Sequence, residues 1–190
     1  MSIMKVRFSP LVLRAALLIV GLQISPNASA GDRNAQQHFF ETLKKLCGQR
    51  FEGKTEFPQN ADHPMVGRKL VMSVETCTDD QIRIPLRVGE DKSRTWILTL
   101  SDKGLLLKHD HRHADGTPDK QTNYGGWAIA EGTANRQRFI ADEETAKLIP
   151  EAATNVWTLE IDEEKHEFSY SLERNMEPRF RAVFILAPAR

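Results

Sequence analysis

Three of the six histidines stand at alternate positions in one stretch: His109, His111 and His113. On an extended chain alternate side chains share a face. Imidazoles so placed can chelate a metal, hydrogen-bond a ligand, or work as acid and base. Same-face neighbours on a strand are about 6.6–7 Å apart, so three in line span about 13 Å. Metal–nitrogen bonds of about 2 Å cannot close on all three without a bend. His109 and His111 would need a further ligand, with His113, Asp115, His63 or His166 as conceivable donors. Two ligands fall short of the usual three or four. No metal and no cofactor is therefore assigned.

The same stretch leaves through Tyr124-Gly125-Gly126-Trp127. Paired glycines let the backbone bend or approach something closely, and a bulge is the expectation here. Tyr124 and Trp127 join His109 and His111 as candidate ligand-binding residues, aromatic faces beside polar anchors. Asp115-Gly116-Thr117-Pro118-Asp119 lacks the ligand spacing and closing Glu of a calcium loop; turn chemistry explains it. No serine sits in a Gly-x-Ser-x-Gly elbow. Many carboxylates could pair with the histidines, but nothing selects one, so no catalytic residue is assigned. Arg136, Arg138, Arg174, Arg179 and Arg181 are expected on outer strand faces. One pointing inward could hold a ligand carboxylate bidentately.

Short strands must position these groups. Leu105, Leu107, His109 and His111 form one face; Leu106, Lys108, Asp110 and Arg112 form the other. The second face suits water, so the histidines are expected to point inward. Ser101-Asp102-Lys103-Gly104 reads as the tight turn before this strand. Upstream, alternation marks strands at Phe51–Phe57, Leu70–Thr76, Ile82–Val88 and Trp96–Leu100. Pro85 suggests an edge or a bulge. Downstream, strands are expected over Trp127–Glu131, Arg136–Ile140, Trp157–Ile161, Phe168–Leu172 and Phe180–Leu186. Asp142 should cap a short helix ended by Pro150. Before the strands, residues 34–47 read as a helix with Phe39, Phe40, Leu43, Leu46 and Cys47 as its apolar stripe, Asp32 or Asn34 as cap and Gly48 as stop.

Residues 1–30 carry a leader pattern. Lys5 and Arg7 precede an apolar run over Ala15–Ile24, and Ala28-Ser29-Ala30 forms an A-x-A site. The run is shorter than the ~20 residues that span a bilayer. Cleavage would leave residues 31–190 as one domain, with no transmembrane segment and a periplasmic or secreted location. That chain has 23 basic and 26 acidic residues, a net charge of −3, so nothing points to nucleic acid. Its two cysteines, Cys47 and Cys77, lack C-x-x-C spacing. In an oxidising compartment they are expected to form a disulfide from the first helix to the second strand.

Nine or ten closely spaced strands, one N-terminal helix and one short helix give a mainly β class: a single antiparallel up-and-down barrel, since closure removes exposed edges. The pattern over residues 48–187, from Phe51-Glu52-Gly53 through successive hairpins to Arg179-Phe180-Arg181, resembles the calycin group of lipocalin and fatty-acid-binding-type barrels. More loosely it resembles uncharacterised secreted bacterial proteins that carry such barrels. The lipocalin Gly-x-Trp is absent, with Gly48-Gln49-Arg50 in its place. The resemblance implies a cavity for a small apolar or amphipathic ligand. Two further readings remain open: a metal protein or enzyme using His109 and His111, and an envelope interaction module or inhibitor.

Overall fold

The computed structural model describes residues 30–186, so nearly all of the expected leader lies outside the described residues. Helix α1 (Ala30–Lys44) leads into β1 (Arg50–Phe57), β2 (Leu70–Ser73), β3 (Gln81–Val88), β4 (Asp91–Ser101), β5 (Gly104–His111) and β6 (Tyr124–Trp127). There follow β7 (Arg136–Ile140), α2 (Glu143–Leu148), a 3-10 turn at Pro150–Ala152, β8 (Asn155–Asp162), β9 (Glu167–Arg174) and β10 (Glu177–Ile185). All ten strands form one antiparallel sheet in the order β6-β5-β4-β3-β2-β1-β10-β9-β8-β7. Every strand but the end pair neighbours its sequence neighbours, with β1 on β10, so the sheet is an up-and-down barrel.

The end strands β6 and β7 meet at a seam. Ile129 N donates to Arg138 O and Asp142 N to Gly125 O, each at 2.9 Å. A Cβ on Gly126 would fall on the Ile140 carbonyl oxygen, and one on Gly125 on that of Leu107. The Gly-Gly pair therefore serves close backbone approach rather than a bulge. From α2, the buried Thr145 hydroxyl accepts from Gly125 N at 2.7 Å and donates to Gly125 O at 2.8 Å. As expected, Asp142 caps α2, its carboxylate accepting from Thr145 N.

At the opposite end from the β5–β6 loop, α1 stops the barrel. Its residues Phe39, Phe40 and Leu43 have no exposed surface. Burying each such side chain stabilises the fold by about 1.5–3 kcal/mol. Gln36, also buried, accepts from Leu105 N through its side-chain oxygen at 2.8 Å. Phe39, Phe40 and Leu43 form the expected buried face, but the helix begins and ends earlier than 34–47, so Leu46 and Cys47 lie past its end and Asp32 and Asn34 lie inside its first turns rather than capping it. Tight turns continue from Lys44 to Gly48, where φ of +79° lets the chain turn toward β1.

Cys47 and Cys77 are joined, their Cα atoms 6.2 Å apart. Cys77 lies in the β2–β3 connection, since β2 ends at Ser73 rather than running to Thr76. Pro85 is the reason. It sits in a central strand, not an edge. Continuing the Met72–Leu86 register places it opposite Ser73, where it has no N–H to give. Val74 instead bonds Gln49 O and Gly48 N, and pairing with β3 resumes at Glu75–Arg83. The strand expected over Trp127–Glu131 is instead Tyr124–Trp127. Closing a loop of this length should stabilise the fold by about 3.5 kcal/mol on the chain-entropy account. Urea unfolding with and without reductant measures that difference; identical curves would mean the disulfide constrains nothing.

Candidate functional site

The barrel's open end, away from α1, contains a recess of about 190 Å³. His109 and His111 line it, as the alternation on β5 requires. Trp96 stands opposite His109 in the β4–β5 ladder, Arg94 opposite His111, and Tyr124 of β6 opposite His109 on the other side. Tyr170 and Leu172 reach in from β9 and Phe180 from β10; His63 and Met65 come from the β1–β2 loop. Beneath the recess the interior is packed, with Leu98, Leu105, Leu107, Phe139 and Leu159 all without exposed surface.

His109 is the inner anchor, 3% exposed. Its Nδ1 lies 3.1 Å from the Tyr124 carbonyl, which can only accept, so Nδ1 carries the proton. Nε2 is then bare and accepts from the Tyr170 hydroxyl at 2.9 Å. Burial pushes the imidazole down to about 3, outweighing the Tyr124 carbonyl, which favours the cation. The ring is neutral at any ordinary pH. It stacks on Tyr124 with centroids 4.6 Å apart. Both nitrogens of His109 are thus committed, so a metal would have to displace Tyr170 or the carbonyl. Among the described residues no group of three or more His, Cys, Asp or Glu is placed to hold a metal ion.

His111 sits nearer the mouth, half-buried, its Nε2 3.0 Å from the Tyr124 hydroxyl. Burial and the Arg94 guanidinium lower its pKa. Burial also raises the Tyr124 hydroxyl to about 12, so it is a neutral phenol able to donate. Tyr170 is raised well above its ordinary value for the same reason. The recess therefore presents His109, Tyr124 and Tyr170 as neutral hydrogen-bonding groups on rigid strands. Arg94 brings a formal positive charge, and Asp91 holds its guanidinium in an ion pair at the rim. Partial burial pushes the Asp91 carboxyl up, but hydrogen bonds from Ser93 and Arg94 prevail and hold it at about 2.

Other candidates lie elsewhere. Trp127 pairs with Leu106 on the barrel's outer face and does not reach the recess. His113 falls beyond the end of β5, its side chain 58% exposed and 3.9 Å from Asp119. Arg136, Arg138 and Arg181 pair with Glu160, Glu173 and Glu56, Arg174 donates to Asn155, and none of these or Arg179 lines the recess. The outer face of β5 is drier than its charges suggest. Asp110 is 3% exposed, ringed by Arg83, Arg112 and Thr122. Burial pushes its carboxyl up, yet these donors prevail and lower it. Lys108 pairs with Asp142 at 2.6 Å, tying β5 to α2.

Sequence alone does not single out Arg94 or Tyr170, and it reads Trp96 as a core strand residue rather than a ligand platform. Arg94 is in phase with Trp96 and Leu98, so extending that alternation two residues back places it inward. Tyr170 belongs to the alternating set Phe168, Tyr170, Leu172, but its reach to His109 depends on how the barrel closes. No helix among the described residues is long and apolar enough to cross a membrane. No protein-family model matches this chain, and no curated protein matches it in sequence.

Proposed function

We propose that this protein is a periplasmic or secreted binding protein that holds a small, partly apolar ligand in the open end of its barrel. The supporting observation is the recess itself: aromatic and aliphatic walls with His109, His111 and Tyr124 converging on one space of about 190 Å³. Sites of this make-up, apolar with a few placed polar groups, are typical of small-molecule binding. The leader pattern and the Cys47–Cys77 disulfide support export to an oxidising compartment.

A ten-stranded barrel stopped by a helix is compatible with the carrier role of the lipocalin and fatty-acid-binding-type barrels. The size narrows it. A dry cavity of about 150 Å³ accepts benzene, while drug-sized ligands need about 300 Å³ or more. One ring with a short substituent fits here; a long acyl chain does not.

Native mass spectrometry of protein isolated from its own periplasm tests this. The expected result is an added mass of one small organic molecule that is lost on denaturation. Replacing His111 with Ala and Tyr124 with Phe together should lower ligand affinity by about tenfold, as a loss of roughly 1.4 kcal/mol does. The unfolding midpoint should move little, because neither change opens the core. Bare protein in repeated preparations would count against the proposal.

A further inference from the structure

Resting on that ligand-binding reading, we infer that the recess selects a small planar aromatic carboxylate, its ring among Trp96, Tyr170 and Phe180 and its anionic group on Arg94. Trp96 and Tyr170 stack face on face at 4.5 Å with their planes 11° apart, so each covers a face of the other and both border the recess. Phe180 meets Tyr170 edge-on at 6.0 Å. The ring surfaces that Trp96, Tyr170 and Phe180 leave toward the recess can take a further ring offset or edge-on.

Charge selects the other end of the ligand. The residues lining the recess include one arginine and no Asp or Glu. Arg94 points inward because it shares the β4 face of Trp96 and lies opposite His111. Asp91 engages its Nη1 from the rim, where the Asp91 side chain is 42% exposed and partly solvated. A guanidinium has five N–H donors in a fork that matches a carboxylate. The Asp91 pair fixes that fork at the mouth and leaves donors for a second carboxylate. The Tyr124 hydroxyl can donate to the same anion when His111 Nε2 carries the proton of the bond between them. Aromatic walls can also attract cations through their faces, but a cation would meet Arg94 at the entrance.

The test is titration calorimetry of the full exported chain with benzoate, benzamide, benzylammonium and decanoate. Benzoate should bind with a Kd below about 1 mM, and benzamide at least about tenfold more weakly. Benzylammonium and decanoate should be weaker still. Arg94→Gln should weaken benzoate by about tenfold while leaving benzamide within about threefold. If Arg94→Gln does not fold, the benzoate-to-benzamide ratio of the natural protein decides alone. Benzamide, benzylammonium or decanoate binding as tightly as benzoate would overturn the aromatic-carboxylate inference and leave the binding cavity standing. No binding of any of the four would overturn both.

Discussion

Gly126→Ala should cost the fold more than about 3 kcal/mol, beyond the usual 1–3 kcal/mol of an overpacked core. The added Cβ would fall on the Ile140 carbonyl oxygen, with the Asp142 N 2.9 Å away. These are backbone atoms of the facing strand end, so no rotamer change relieves the contact. Gly126 is not held at positive φ; the penalty is one of space alone. The seam must open, and its hydrogen bonds from Ile129 to Arg138 and from Asp142 to Gly125 go with it. Typical domains have only about 5–15 kcal/mol in hand. The site should fail too, because β6 delivers Tyr124 to both histidines.

Gly116→Ala is the control. It sits at φ +85° in the loop after β5, and an added Cβ meets nothing within 4 Å. Its cost should be the left-handed backbone penalty alone, about 1–2 kcal/mol. Urea unfolding of both variants reads the contrast. A Gly126→Ala protein as stable as Gly116→Ala would mean that the β6–β7 seam is loose.

The barrel was readable because each strand carries its own period-two signal, and short loops force neighbours to pair. On β5 that signal placed Leu105, Leu107, His109 and His111 inward. It misjudged the opposite face, because Asp110 is kept dry by Arg83 from a strand two positions away, and no local pattern encodes that pair. Trp127 shows the same limit. It looked like a partner of Tyr124 in sequence, but three residues along a strand reverses the face. Tyr170 is separated from His109 by sixty-one positions, and only closure of the sheet joins them. The helix is legible in its apolar stripe, while its bounds, Ala30–Lys44, differ from the expected 34–47.

Acid should destabilise this protein well above the range where its carboxylates titrate, and His109 should be the main cause. Unfolded, the imidazole has a pKa of about 6.5. Folded, burial holds it at about 3. Between these values the unfolded chain takes up a proton that the native chain refuses, so stability falls as pH falls. The contribution is whole above pH 6.5 and gone below about 3. Its slope is about 1.4 kcal/mol per pH unit, or roughly 3 kcal/mol between pH 6.5 and 4. His111, also lowered by burial, acts in the same sense. Asp91 and Asp110 are held below their ordinary value of 3.8, so their stabilisation is lost only at lower pH. The window from 6.5 to 4 therefore separates the imidazoles from them. His109→Gln offers an amide N–H to the Tyr124 carbonyl and an amide oxygen to the Tyr170 hydroxyl, but does not titrate. Urea unfolding at pH 7, 6, 5 and 4 should show the natural protein losing stability faster than His109→Gln, by up to one proton's slope. Parallel curves would mean that His109 is not held neutral in the fold, and the Tyr170–His109–Tyr124 chain would lose its assigned proton positions.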